Sequence, residues 1–491
     1  MTDLQPHLTA LRAAMAAFPP LESHTPNTAI ELDEIYFPKQ HAAALDPDRS
    51  LVVGNRGMGK SFWASALVNR DARRRIAEAW PQARLGHGAV EVEFGFAEGE
   101  GAIGVSKDEL KLLTDNGTSA EHIWRAVTLP QIAELAEQKI PLSLADRAIW
   151  VATEPGKVRE MMRTADARLT ERKRKLLFVF DQLEQLADDL SLRSDLTQGI
   201  LRLALAFKSY RGLRAKIFMR PDHFAEDRLF AFPDASKIKG EALHLDWRAT
   251  DLYGLLYSRL LRAEPDAFTP LASQVGVSLA GQNKLPEDLL TNESLQHRIF
   301  DLVAGEGMGT RKRGLPYTWV ITHLSDARNQ VSPRTFLRAL KFAAEHTPAP
   351  NDKAIDHLGI HEGVREASKN RVDDLKEDYP WVPPALDALR GLLVPCLPEE
   401  ILEKWSCAHG LIAELRKVDG QKKPSWLEEG NDNEKLHKNL MTAMVDIGVF
   451  ENRITTGKID VPDIFRLPYN IKRKGGVTQQ QRRKVRVRTS G

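Results

Sequence analysis

Short apolar runs recur along the first half of the chain, separated by longer stretches with helix-compatible spacing. Leu51-Val52-Val53 and Leu176-Leu177-Phe178-Val179-Phe180 are continuous runs of the kind that a sheet covered on both faces requires. Ala215-Lys216-Ile217-Phe218-Met219 reads the same way, while Val90-Glu91-Val92-Glu93-Phe94 and Ala242–Trp247 alternate with a period of two. Five strands separated by helical stretches predict an α/β core around a five-stranded parallel sheet. From Thr250 onward the spacing becomes helical: Leu252, Leu255, Leu256, Arg259 and Leu260 share a face behind an N-cap at Thr250-Asp251. Thr347-Pro348-Ala349-Pro350-Asn351-Asp352 is a proline-rich link, and Glu362–Asp378 is a charged helical stretch broken by Pro380, Pro383 and Pro384. Glu434–Ile447 then places Leu436, Leu440, Met441, Met444 and Val445 on one side of a helix. Two short strands follow, Val449–Ile454 and Lys458–Val461, around a turn at Thr455-Thr456-Gly457. A helix followed by such a hairpin outlines a winged-helix-like α+β domain.

One junction between strand and helix carries chemistry. Gly54-Asn55-Arg56-Gly57-Met58-Gly59-Lys60-Ser61 follows the first apolar run and precedes the helix-compatible Phe62-Trp63-Ala64-Ser65-Ala66-Leu67. This is G-x-x-x-x-G-K-[ST] in the context that it requires. Glycines let the chain curl until successive N–H groups face one concavity, and the following helix adds its positive end. Residues 54–62 therefore form the expected nucleotide-phosphate site, with Lys60 on the β- and γ-phosphates and the Ser61 hydroxyl on Mg²⁺. Asp181 stands at the carboxyl end of the third apolar run, where sheets of this type bind ligands and where a carboxylate can hold the metal. Glu184 is the nearest acid to orient a water; its alternative is a solvated helix residue. Arg220 ends the fourth run and is either a γ-phosphate sensor or the ion-pair partner of Asp222.

Composition narrows the setting. The 491 residues, 42% hydrophobic and 28% charged, suit a soluble protein of about three domains. No apolar run reaches membrane-spanning length and no secretory signal is visible at the N-terminus, so the expected compartment is the cytoplasm, with no membrane partner. Cys396 and Cys407 lack a second pair to complete a zinc site and read as reduced thiols. Residues 471–491 contain eight basic and no acidic side chains, leaving 61 basic against 67 acidic elsewhere, a net of −6 under the whole chain's +2. Such a tail is a solvated end or an attractor for nucleic acid or an acidic partner.

These residues resemble the AAA+ and STAND branch of P-loop ATPases, in particular initiator-like members with a C-terminal winged helix. The resemblance spans about residues 30–345 and rests on Gly54–Ser61, Asp181-Gln182-Leu183-Glu184, the strand ending at Arg220, and Ser332-Pro333-Arg334-Thr335-Phe336-Leu337. It implies catalytic roles for Lys60, Glu184, Arg220 at the sensor-1 position and Arg334 as the sensor-2 arginine of a lid helix. It also implies ATP and Mg²⁺ as cofactors, an adenine contact from Tyr36 or Phe37 unless those residues merely pack, and an arginine donated between subunits, for which Arg228 is the candidate. The gap between Lys60 and Asp181 is long for the family, which implies an insertion with helices around Ser106–Asp115, Ser119–Val127 and Leu144–Ala152. The implied domains are a core over 1–249 with an insertion at about 95–175, a helical lid over 250–346, a helical and winged-helix domain over 352–470, and the basic tail. Tyr317–Ile321 is then lid core rather than an adenine pocket.

The function so implied is an ATP-hydrolysing switch, of low or partner-stimulated turnover, that couples nucleotide state to assembly and to duplex DNA or a partner protein. It would form a homo-oligomer or a complex with an effector, in bacterial DNA metabolism or antiphage defence. A second reading is a scaffold that binds ATP without hydrolysing it and docks a protein through its C-terminal domain. Arg453, Lys458 and the tail are candidates to neutralise phosphates, although the helix before the hairpin is not strongly basic.

Overall fold

The computed structural model describes residues 4–19, 29–86, 88–97, 105–279, 284–418, 424–427 and 432–474. In it β1 (Leu51–Val53), β2 (Val90–Phe96), β3 (Lys175–Phe180), β4 (Leu213–Met219) and β5 (Leu243–His244) form one sheet in the order β2-β3-β4-β1-β5. Every pairing in it is parallel. Alternation along each strand divides the side chains between two apolar layers. Leu51, Val53, Phe178, Phe180, Ile217 and Met219 enter one; Val52, Val92, Leu177, Val179 and Phe218 enter the other. Helices cover both, as a parallel sheet requires. The fifth strand is shorter than the alternation of 242–247 suggests, because only two of its residues pair with β1.

Helices within 105–175 share the cover of the first layer with the helix Leu190–Phe207. The former are Lys107–Asp115, Ala120–Ala136, Leu144–Thr153 and Pro155–Glu171, and they bury Trp124, Ile132, Met161 and Leu169 against the sheet. The Trp124 indole donates to the carbonyl of Leu196 at 2.8 Å in the neighbouring helix Leu190–Phe207. The helix Pro155–Glu171 escapes a pattern reading because Pro155-Gly156 looks like a turn, whereas proline at the first helical position starts a helix. Gly95 explains the register shift at the end of β2: a Cβ there would lie 2.4 Å from the Phe180 ring.

The helix Ala249–Ala263 begins earlier than a cap at Thr250-Asp251 would set it. Arg248 is its N-cap, and Asp251, three residues in, accepts from the Arg248 N–H at 3.1 Å. Asp251 thus serves as the acidic partner of the first turn rather than as the cap itself.

The described chain resolves into two compact units, 1–299 with 332–337 and 300–331 with 338–491. They part within the segment 250–346 rather than at either of its ends, and the helices Glu293–Ala304 and Pro333–Glu345 contribute residues to both. The second unit contains the winged-helix outline. β7 (Glu451–Arg453) and β8 (Lys458–Asp460) form an antiparallel hairpin, and Cys396, just after the strand β6 (Leu393–Val394), bridges to Ile459 as a third short rung. The helices Pro398–Cys407 and Asn433–Asp446 pack on each other, and Trp405 stacks on Phe450, just before the hairpin, at 6.0 Å. The first residues of the stretch 471–491 are part of the folded unit. Ile471 is buried, Lys472–Arg473 form β9 in parallel pairing with β6, and residues 475–491 lie outside the described residues. Among the described residues no helix is long and apolar enough to cross a membrane, Cys396 is buried and Cys407 exposed, and both are free thiols.

Candidate nucleotide-binding site

The loop 54–61 sits at the carboxyl end of β1, with the Gly54 N–H pinned to the carbonyl of Met219 at the end of β4 by a 3.0 Å hydrogen bond. Gly57 and Gly59 hold φ of +82° and +98°, conformations that an L side chain resists. Beyond Gly59 the chain enters the helix Lys60–Val68, so loop and helix start are continuous. Trp247, which follows β5, fastens the loop by donating its indole N–H to the carbonyl of Met58 at 3.1 Å. Nothing local in the sequence marks Trp247 for this role, since loop and tryptophan are 189 positions apart.

Lys60 folds back over the loop, donating to the carbonyls of Gly54 at 2.8 Å and Asn55 at 3.2 Å. Desolvation lowers its proton affinity, while the nearby charges of Glu184 and Asp181 raise it. β3 delivers Asp181 to this cluster even though β4 lies between β3 and β1. The Asp181 carboxylate accepts from the Ser61 hydroxyl and from the Gln182 N–H, yet burial pushes its pKa up to about 6. Its Oδ1 is buried with no hydrogen-bond partner among the described residues. A buried carboxylate of raised pKa, joined to a hydroxyl and carrying an unused oxygen, fits a divalent cation. Ser61 and Asp181 are the residues that would hold it.

Gln182 takes φ of +56°, a left-handed turn that costs about 1–2 kcal/mol in a residue with a side chain. It starts the short 3-10 helix Leu183–Gln185, which brings Glu184, half-buried, within electrostatic reach of Lys60 and Asp181. Arg220 is buried, pairs through Nε with Asp222 at 3.2 Å, and still lies near enough to Lys60 to act on its charge. The ion pair with Asp222 is therefore present, and Arg220 also borders the loop 54–61.

Arg334 comes to the loop through Gly57. A Cβ at Gly57 would stand 3.1 Å from Ser332 Oγ and 3.6 Å from Arg334 Cβ. Ser332 caps the helix Pro333–Glu345 by accepting the Thr335 N–H at 3.1 Å, and Tyr253 braces Phe336 edge-on at 5.1 Å. A side chain at position 57 would push this helix start away from the loop. Ser332 is a site residue that spacing alone does not reveal; its S-P-R-T context is a cap signal, but the glycine it touches is 275 positions earlier in the chain.

The remaining candidates have other partners. Tyr36 stacks on Trp247 at 5.9 Å with its hydroxyl against Gly254, and Phe37 sits edge-on to Trp80 at 5.2 Å, so both are engaged in packing. Phe62 packs edge-on against Trp63 at 5.0 Å at the start of the P-loop helix. Arg228 lies exposed on a short 3-10 turn, paired with Asp195 at 2.8 Å. Tyr317 and Trp319 are buried in the helix Pro316–Leu324 within the second unit. Arg453 is not available to phosphates as its sequence position suggests. It pairs with Asp460, which also holds Arg473 at 3.0 Å, and Arg473 pairs in turn with Asp463 at 2.8 Å.

These groups join a loop of P-loop sequence to a candidate metal carboxylate, a second acid and two arginines, on an α/β P-loop fold. No family model matches the chain, and no curated protein does so either. Three solved structures are similar over nearly its whole length. Cdc6p from Pyrobaculum aerophilum shares 14% identity over 92% of this chain and 94% of its own, with a TM-score of 0.29. The Aeropyrum pernix ORC2 protein, in ADPNP–ADP complexes, shares 12% over 94% and 98%, with a TM-score of 0.38. The Aeropyrum pernix ORC1 protein in complex with DNA shares 15% over 92% and 93%, with a TM-score of 0.32.

Proposed function

We propose that the chain is a P-loop ATPase switch that binds ATP with a divalent cation and uses nucleotide state to govern engagement of duplex DNA by its winged-helix unit. The observation that carries this reading is the meeting of residues 54–61 with Asp181 and with the Ser332–Arg334 helix start around one loop. Lys60 turns from the Gly54 and Asn55 carbonyls to the β- and γ-phosphates, exchanging two neutral acceptors for anions. When bound, the cation supplies charge neutralisation at the phosphates. Glu184 orients the attacking water, and Arg220 and Arg334 respond to the γ-phosphate. Arg334 lies in the first turn of a helix whose later residues belong to the second unit, so its response travels along a continuous element.

The test is ATP turnover by the purified chain, with and without duplex DNA. We expect slow turnover that DNA stimulates, loss of ATP binding in Lys60→Ala, and retained binding with turnover reduced about 100-fold in Glu184→Gln. Normal ATP binding by Lys60→Ala would remove the site. Unchanged turnover in Glu184→Gln would take the water-orienting role from Glu184, and absence of turnover in the wild type with and without DNA would leave an ATP-binding scaffold.

A further inference from the structure

A basic turn in the second unit is used by none of the roles above. Between the helices Glu293–Ala304 and Pro316–Leu324 the chain reads Gly305-Glu306-Gly307-Met308-Gly309-Thr310-Arg311-Lys312-Arg313-Gly314. Gly305, Gly309 and Gly314 hold φ of +83°, +78° and +112°, so the path depends on residues without side chains. Met308 is buried, bridges to Thr310, and donates its N–H to the Gly314 carbonyl at 3.0 Å. At Gly307 a Cβ would meet the backbone of Thr310 and Arg311 at 2.7 Å. The turn is seated on the Lys353 side chain at Gly305 and on the His357 ring at Gly309.

This base presents Arg311, Lys312 and Arg313 to solvent side by side. Arg311 is answered by Glu306 at 2.7 Å, and Lys353 by Asp352 at 3.5 Å. Lys312 and Arg313 have no acidic side chain within ion-pair distance among the described residues. Burial chiefly, and then the charges of His357 and Arg313, hold the proton affinity of His361 below its ordinary value, so Arg313 lies close enough to the neighbouring helix His357–Asp378 to act on it. A freely moving loop would let like charges spread apart; this turn keeps them together, which lowers the ordering cost of meeting an anion. The hairpin of the same unit, by contrast, has committed its arginine to Asp460. That leaves Lys458 of the hairpin and the cations of this turn as candidates to neutralise phosphates.

We propose that Lys312 and Arg313 form a second contact region of the winged-helix unit, binding the phosphate backbone of duplex DNA without reading its sequence. The inference rests on the reading that this unit engages duplex DNA.

Fluorescence anisotropy with a labelled duplex of arbitrary sequence tests it, using the full chain between about 50 and 200 mM salt. The variants are the doubles Lys312→Ala/Arg313→Ala and Lys312→Arg/Arg313→Lys. The alanine pair should weaken binding several-fold and flatten the slope of log affinity against log salt by about two. The charge-preserving pair should keep both, and both variants should melt with the wild type because the side chains are exposed. Wild-type binding with an unchanged slope in the alanine pair overturns the contact and leaves the DNA reading standing. No binding by the wild type overturns both.

Discussion

At the scale of single residues, His41 shows how the core fixes a protonation state. It is fully buried; its Nδ1 accepts from the Trp63 indole at 3.1 Å and its Nε2 lies 3.0 Å from the Asp246 carbonyl. Only the neutral ring with its proton on Nε2 satisfies both, because a second ring proton would face the indole N–H. Burial accordingly lowers its pKa to about 4 from 6.5. For a group whose folded pKa is depressed, the stabilising contribution is whole above the unfolded value of 6.5 and is lost as pH falls towards 4. The shift is worth about 3 kcal/mol at most. Urea unfolding at pH 7.5 and at pH 4.5 should therefore show a loss in the wild type that His41→Gln, already weaker at pH 7.5, largely lacks. An equal loss in both proteins would assign the acid sensitivity to other groups.

At the scale of elements, β4 carries the residue that its apolar pattern conceals. Lys216 is fully buried in mid-strand, and its Nζ donates to the carbonyls of Ala44, Asp46 and Arg49 at 2.6, 2.9 and 2.6 Å. It gathers the short helix Ala42–Leu45 and the approach to β1 onto the sheet, although desolvation lowers its pKa to about 7. Two effects oppose each other: removing a buried ammonium relieves desolvation, but it strands three carbonyls. The second should win, because three charge-assisted bonds of good length outweigh the penalty of one partly neutralised amine. Lys216→Met, which keeps the volume, should lose about 2–4 kcal/mol in urea unfolding; a neutral result would make the lysine dispensable. The strand itself was legible as an apolar run, and so were the P-loop, the β3 carboxylate and the hairpin, because each is specified within a few consecutive residues. The helix Pro155–Glu171 was not, nor was the share of the helices within 105–175 in the covering layer. Strand order and layer assignment depend on partners far away in the chain.

The same divide holds for the whole molecule. Lys60, Ser61 and Asp181 could be nominated from local spacing, but their meeting across an intervening strand could not. Nor could the dependence of Arg334 on Gly57, which joins positions nearly 280 residues apart; that contact is set by the packing of the helix Pro333–Glu345 and has no sequence period. It makes a prediction for the chain as a system. If the helix start reads the nucleotide, adding ATP with Mg²⁺ should slow amide hydrogen exchange in 54–62, in 181–185 and in 332–337. Arg334→Ala should keep protection at the first two segments and lose it at the third, since the loop and carboxylate remain while the arginine that joins the helix to the phosphates is gone. Protection at 332–337 that persists in the variant would mean that Gly57 transmits the signal by contact alone. No protection there in the wild type would uncouple the helix from the nucleotide, and the switch would have to run through another element.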